Sequence, residues 1–490
     1  MSVGNFNIFN VKDKKIITLH LSWLAFFITF FMWFSHTSLM PLIVKAFDLS
    51  SAEAKALLFL NVALTIPSRT LIGMLVDKFG PRLMFSILLA ISGVLCIGFA
   101  LAQTYEQLAA FRFLLGFAGA GFVIGIRLIT EWFPAQQAGT AQGVYGGWGN
   151  FGAAAAGFIL PAIAALYGGV EGWRVAAGSA GIVAIFYSLI FYLFIKNTPK
   201  GSRYFSPKKL GPMEVTSRGD MFLYSLMCAP MSLAMGVIAW RLSPAGVGLI
   251  SADITHIIWG ALFVWFAYQL SQIYKINNAS LKEGISEIHC YKFKQVALLN
   301  LAYMVTFGSE VAVVSMLPLY FIDTFNVSIG IAAAMASSFM AMNLIARPGG
   351  GYISDKIGRK RSLLITLLGS GMGYFGLSLV DGSWSITATM IVVIFCSFFV
   401  QAGAGATFGV VPTIKRRLTG QIAGLTGAYG NVGAASFLLI YSLTDAMTFF
   451  SVICISCLVV FILMKLFLDE PKGQIAEILP DGTVELISID

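Results

Sequence analysis

The stretch GVYGGWGNFG, Gly143 to Gly152, returns as GLTGAYGNVG, Gly424 to Gly433. Glycine holds the first, fourth, seventh and tenth places in both copies, and the pairs Gly149-Asn150 and Gly430-Asn431 hold theirs. Each copy lies inside a long apolar stretch. Asparagine is costly in hydrocarbon, so two of them in matched glycine-rich helices predict a buried polar site at a two-fold repeat.

Composition points the same way. The 490 residues are 58% hydrophobic and 11% charged, where a soluble domain carries about 25% charge. Apolar stretches long enough to cross hydrocarbon about 30 Å thick recur along the chain. Fourteen are expected: 17–42, 54–76, 83–103, 107–130, 140–167, 173–196, 221–242, 250–274, 294–322, 328–353, 362–380, 384–411, 420–443 and 446–468. Lys12, Lys14 and Lys15 lead straight into the first, unlike a cleavable signal. The net charge of +9 gathers before the first span and in 77–82, 197–218, 275–294, 355–361 and 415–417. The intervening loops are nearly neutral or acidic, with Glu106, Asp323, Asp381 and Asp445. This asymmetry places both termini in the cytoplasm of a plasma-membrane protein, which needs an even number of spans. Fourteen satisfies that, as would twelve with a surface-lying pair. The charge is a topology signal and implies no nucleic acid. Cys454-x-x-Cys457 lies inside the last span and reads as packing. No metal or cofactor is expected.

A second pair of matches fixes the repeat. Gly73-x-x-x-Asp77-x-x-Gly80-x-Arg82 follows the second span, and Gly351-x-x-x-Asp355-x-x-Gly358-Arg359 follows the tenth. Their offset is 278 (355 − 77), against 281 (431 − 150) for the Gly-Asn pair and 277 (318 − 41) for Pro41 and Pro318. Three near-equal offsets assign six spans to each half. The expected organisation is an N-terminal bundle over 1–200, a central linker with two extra apolar helices over 201–293, a C-terminal bundle over 294–468 and a cytoplasmic tail over 469–490. The extra pair, 221–242 and 250–274, lacks repeat partners and suits a peripheral packing or regulatory role.

These motifs resemble the major facilitator superfamily over roughly residues 15–470, apart from the insert. The resemblance implies an all-α polytopic fold of two pseudo-symmetric six-helix bundles. It also implies that Asp77, Arg82, Glu131, Asp355 and Arg359 tie helix ends together and gate the carrier.

Arg69 precedes Asp77 by eight residues and Arg347 precedes Asp355 by eight. At about 1.5 Å per residue both stand about 12 Å inside the membrane, at equal depth in opposite halves. A central arginine costs at least about 2.5 kcal/mol to insert. Either an anionic ligand neutralises the two, or each pairs with a buried glutamate or a helix C-terminus. The planar guanidinium fork suits flat oxyanions such as nitrate, nitrite or carboxylate. Phe30, Phe122, Tyr303 and Phe307 lie at nearby depths, and Asn150 and Asn431 can donate amide hydrogens. The glycines beside them either allow close helix packing or let backbone approach the ligand.

One arginine in each of the second and eighth core helices, with Gly-rich segments in the fifth and eleventh, resembles the nitrate/nitrite porter family. That resemblance implies a substrate clamp of Arg69 and Arg347 between aromatic rings, with Asn150 and Asn431 nearby. The run Gly121 to Pro134 and the long insert look like the cyanobacterial-type permeases. A small inorganic anion is the expected partner, imported by a monomeric carrier with possible proton coupling. Glu310, three residues after Phe307, is the candidate proton site. It could instead be a structural partner for an arginine, Arg112 among them. His36 is a weaker candidate, expected at the interface. Arg127 and Glu131, four apart, suit an ion pair. Alternatives are an anion exchanger for nitrate, nitrite or small organic anions, and a sensor that binds without transport. The scattered histidines 20, 36, 256 and 289 argue against an enzyme.

Overall fold

A computed structural model describes residues 6–169, 171–202, 204, 206–207, 211–283, 290–470, 473–478 and 484–488. His289 and parts of the basic stretches 197–218 and 275–294 lie outside these residues. The first half runs through α1 (Lys14–Trp33), α2 (Ser35–Phe47), α3 (Ser51–Ala63), α4 (Thr65–Phe79), α5 (Pro81–Leu101), α6 (Tyr105–Leu114), α7 (Gly121–Trp132), α8 (Ala135–Tyr167) and α9 (Gly172–Phe194). The insert supplies α10 (Arg218–Leu242) and α11 (Ala252–Glu283). The second half holds α12 (Phe293–Phe325), α13 (Ile329–Ala341), α14 (Asn343–Ile357), α15 (Arg359–Ser378), α16 (Ile386–Ile414), α17 (Thr419–Leu443) and α18 (Ala446–Phe467).

All fourteen expected spans fall on these helices, several of them in two pieces. The first breaks at Phe34 between α1 and α2, the second at Leu64 between α3 and α4, and the tenth at Met342 between α13 and α14. A short 3-10 turn, Leu115–Ala120, joins α6 to α7. Among the described residues, eleven helical runs are long and apolar enough to cross a membrane, α10 and the stretch Ala252–Asn278 of α11 included. The breaks at Leu64 and Met342 keep two expected spans off that count, and the basic start of α15 at Arg359, Lys360 and Arg361 burdens a third. The tail departs from the helical pattern: β1 (Gln474–Ile478) and β2 (Val484–Ser488) form an antiparallel hairpin, Gln474 opposite Ser488.

The halves interlock through the glycine decapeptides. α8 of the first half packs along α14 of the second, and α17 of the second along α4 of the first. A Cβ added at Gly143 would meet the Arg347 carbonyl oxygen at 2.5 Å, and one at Gly424 the Arg69 carbonyl oxygen at 2.5 Å. Gly152 and Gly433 approach the carbonyls of Phe27 and Met304 as closely, at 2.2 and 2.3 Å. Only hydrogen fits at these crossings, the close approach that small residues give membrane helices.

On the side of the basic loops the same two-fold ties the halves by charge. Asp77 accepts from the backbone amides of Gly420 (2.9 Å) and Gln421 (2.8 Å) at the start of α17. Asp355 accepts from those of Gly139 (3.0 Å) and Thr140 (2.7 Å) near the start of α8, and from the Thr140 hydroxyl. For Asp77 these are free first-turn amides, so it gains from the helix dipole as well as from the hydrogen bonds. Arg127 Nε lies 2.9 Å from Asp77, and the same guanidinium is ion-paired with Glu131. Arg359 donates to the Ala135 carbonyl at 2.5 Å and stands 3.8 Å from Asp355. Arg82 does not join the Asp77 cluster. Its side chain donates to the Tyr192 carbonyl at 2.7 Å and lies over the Tyr192 ring, because Arg127 already occupies the aspartate.

The tail begins by capping α15: Glu470 accepts from the amides of Arg359 (2.7 Å) and Lys360 (2.8 Å). Asp469 beside it accepts from Lys292 at 2.9 Å, and this bond with the neighbouring lysine charges holds its carboxyl below the ordinary range. Asp77→Asn removes the charge that α17 and Arg127 share, and losing one partner of a buried pair costs about 3–5 kcal/mol. The expected result is at least tenfold faster maleimide labelling, from the basic-loop side, of a cysteine introduced at the buried position Ala423. An unchanged labelling rate contradicts the closure role of Asp77.

Candidate functional site

The interlocked helices bring both arginines to one aromatic ring. The guanidinium of Arg69 lies 5.1 Å and that of Arg347 5.4 Å from the centre of Phe307. Both side chains are fully enclosed, Arg69 at 0% and Arg347 at 1% exposure. Arg69 also lies 5.8 Å from the Phe122 ring. Cation–π contacts that exclude water contribute about 2 kcal/mol each. They soften the insertion cost of a guanidinium without supplying a counter-charge.

The rings form a stack. Phe122 and Tyr303 are parallel within 5° at 6.0 Å, and Tyr303 and Phe307 within 3° at 5.0 Å. Phe408 of α16 stands edge-on to both Phe122 and Tyr303, at 4.5 and 4.7 Å. Edge and face contacts of this kind fix ring positions in a dry interior. Phe30 is not part of this stack. Its ring contacts are Phe26, Trp33 and Phe34, and Phe26 is the ring of α1 that meets Phe122, at 5.4 Å. The sequence carried a signal for Phe26: it precedes Tyr303 by 277 residues (303 − 26), the same offset as Pro41 and Pro318. No comparable signal singles out Phe408.

The two arginines differ in what neutralises them. Arg347 donates through Nη2 to Glu310 at 3.0 Å, and Asn343 Nδ2 donates to the other carboxylate oxygen at 2.7 Å. Of the two alternatives, the buried glutamate is the one found for Arg347. Glu310 stands on α12 and Arg347 on α14, so which arginine it answers is decided by a side-chain contact between separate helices. Arg112 is not its mate. That guanidinium donates to the Trp33 carbonyl at 2.8 Å, at the break between α1 and α2. His36 is buried within the protein. Arg69 has no carboxylate partner among the described residues. It donates to the carbonyls of Gly119 (3.0 Å) and Gly427 (2.7 Å), and its Nη2 has no hydrogen-bond partner.

The remaining polar groups are short of partners too. Asn150 makes no side-chain hydrogen bond although it is 2% exposed. Asn431 reaches the Gly427 carbonyl only at 3.5 Å, and its oxygen is unpaired. Arg347 Nε is likewise unpaired. Buried polar groups left without partners cost about 1–3 kcal/mol each, a cost that a bound ligand or water would relieve. Gly146 and Gly427 line the same space: a Cβ there would stand 3.5 and 3.6 Å from Nη1 of Arg347 and Arg69. Each lies one turn before its asparagine, so glycine, asparagine and guanidinium share a face. The decapeptide glycines thus divide. Gly143, Gly152, Gly424 and Gly433 meet backbone, while Gly146 and Gly427 face the arginines.

A family model for the major facilitator superfamily matches residues 22–438, with a second match over 299–486. The chain belongs to that superfamily. Among relatives, the nitrate/nitrite transporter NrtP of Nostoc punctiforme is 42% identical over 96% of this chain and 95% of its own length. The protein of the same name from Picosynechococcus is 40% identical over 94% of each chain. The high affinity nitrate transporter 2.5 of Arabidopsis thaliana is 27% identical over 92% of this chain and 80% of its own. Of solved structures, the proton:xylose symporter XylE aligns with a TM-score of 0.61 at 16% identity, over 92% of this chain and 95% of that one. That likeness establishes the facilitator fold alone, and the superfamily is one of transporters rather than enzymes.

The crossings give a direct test within this superfamily fold. Gly424→Ala puts a methyl 2.5 Å from the Arg69 carbonyl, a backbone atom that cannot yield cheaply. Transport should fall more than tenfold at normal amounts of inserted protein, as measured by uptake per immunodetected carrier. Gly157→Ala, where a Cβ meets nothing within 4 Å, should transport normally.

Proposed function

We propose that this chain is a secondary transporter that imports nitrate, and nitrite with it, across the plasma membrane by alternating access. The observation that carries the reading is the pair of enclosed guanidiniums on one phenylalanine ring, with unpaired guanidinium N–H groups, the unpaired Asn150 amide and the half-used Asn431 amide. A small planar oxyanion fits that donor set. Its flat faces can stack against Phe307 and Phe122, and its oxygens can accept from Arg69, Arg347, Asn150 and Asn431. A phosphate ester would call for a further cation in the pocket. The nitrate and nitrite named for the relatives supports this choice of anion.

Driving force follows from charge. Moving one anion into a negative cell costs about 2.3 kcal/mol per 100 mV, so import needs a coupled flow. Glu310 offers one. In the empty carrier it is the counter-ion of Arg347; when the substrate anion takes that arginine, Glu310 takes a proton, and anion and proton cross together. The basic loops place both termini in the cytoplasm, with Asp77, Glu131, Asp355 and Arg359 closing the cytoplasmic side. We read the carrier as a monomer of two bundles, 1–200 and 294–468, with the 201–293 segment at the periphery and the 469–490 tail at the cytoplasmic face.

Counterflow of nitrate and nitrite in liposomes, with and without a pH gradient, tests this directly. Arg69→Lys and Arg347→Lys should each cut nitrate uptake at least a hundredfold while inserting normally, because an ammonium lacks the planar fork. Near-normal uptake by either rules out the clamp. Glu310→Gln should abolish stimulation by an inward proton gradient yet keep counterflow. If its uptake follows the gradient as before, the proton runs through another group; wild-type uptake that ignores the gradient would make exchange without protons the better reading.

A further inference from the structure

The repeat breaks its own symmetry beside the two arginines. Phe30 corresponds to Phe307 and Trp33 to Glu310, each at an offset of 277 (307 − 30 and 310 − 33). Thr65 corresponds to Asn343 and Arg69 to Arg347, at 278 (343 − 65 and 347 − 69). In the first half Trp33 donates to the Asn61 carbonyl at 3.1 Å, and Thr65 to the Gly116 carbonyl at 2.8 Å. These bonds knit backbone at the break between α3 and α4. In the second half the same two positions hold a carboxylate and a carboxamide bonded to each other and to Arg347. The acid and its amide partner are the feature that makes the halves unequal.

Asn343 is itself half-used. Its Nδ2 donates to Glu310, while its Oδ1 is buried at 0% exposure without a hydrogen-bond partner. A carboxamide carries two donors and one acceptor oxygen on opposite sides of one rotatable bond. An ionised carboxylate can only accept, and a neutral carboxyl can also donate.

We infer that Asn343 is a positioning residue that holds Glu310 in both protonation states by turning its carboxamide. In the empty carrier the amide N–H and Arg347 hold the carboxylate. As the anion takes Arg347, a proton from water bonds to the Glu310 oxygen facing Asn343. The carboxamide then rotates half a turn, and its Oδ1 accepts that proton's hydrogen bond. One negative and one positive charge enter together, so the site's net charge is unchanged. The groups facing Glu310 leave the proton few other stations. They are Arg347 and Asn343 of α14, Tyr303 on its own helix, and Tyr374 of α15, whose hydroxyl donates to Ser309 at 2.7 Å. This inference rests on the role proposed for Glu310.

The test is the number of protons taken up per nitrate bound, measured by titration calorimetry of the purified carrier in buffers of different ionisation heat. Asn343 stabilises the ionised acid in the empty state and the neutral acid in the loaded state, so removing it narrows the difference that drives uptake. Wild type should take up close to one proton per anion over its working pH range. Asn343→Leu should take up less than half as many, and Asn343→Gln should restore most of the loss. A merely structural residue would lower affinity equally at every pH and leave the stoichiometry alone. Full proton uptake by Asn343→Leu, with none by Glu310→Gln, overturns the inference and leaves Glu310 as the proton site. No uptake by wild type overturns the role of Glu310 itself. Nitrate-induced infrared difference spectra of wild type, which require no variant to fold, give a second reading. A hydrogen-bonded carboxylic acid band, lost in Glu310→Gln, is expected, and a band at the position of a free acid overturns the inference.

Discussion

A guanidinium that water cannot reach must find its negative charge inside the molecule or bring one in from outside, and the two arginines of this site differ on that point. Arg347 is balanced by Glu310 at 3.0 Å, whereas Arg69 has only the carbonyls of Gly119 and Gly427. The two lie against one ring and are close enough to repel each other. In a low dielectric that repulsion is strong, so an anion placed between them is drawn in by both. The remaining structure holds these charges in place while keeping water out.

The means is the crossed packing of the halves. Each arginine sits on one half and is enclosed by the glycine decapeptide of the other, so the site exists only where the bundles meet. The same pairs of helices, α4 with α17 and α8 with α14, carry the Asp77 and Asp355 contacts at the basic-loop end. Arginine and aspartate are two turns apart on one helix. A tilt that parts the aspartate from its amides therefore also moves the arginine against the facing glycines. The aspartate contacts and the arginines are linked by the rigidity of a helix, with no intervening relay.

Much of this was legible in the chain. The offsets of 277 to 281 predicted two halves, the depth of Arg69 and Arg347, and the matched asparagines. The ring stack was legible in part: Tyr303 and Phe307 followed from their spacing, but Phe30 was named where Phe26 belongs. One turn of α1 separates those two rings, and only the packing of α1 against α7 and α8 decides which faces Phe122. Arg82 was placed in the Asp77 cluster by motif, yet Arg127, distant in sequence, takes that aspartate. Asn343 carried no sequence signal beyond its offset from Thr65.

Sequence alone determined which residues hydrocarbon would penalise, because insertion cost depends on residue type and depth along a helix. It therefore determined the repeat and the two central arginines. Tertiary structure alone decided how each charge is answered. Whether a guanidinium meets a carboxylate, a carbonyl or nothing depends on angstrom-scale contacts between helices far apart in the chain. That is why the inequality of Arg69 and Arg347, hidden in a nearly symmetric sequence, emerged only where side chains of α12 and α14 meet.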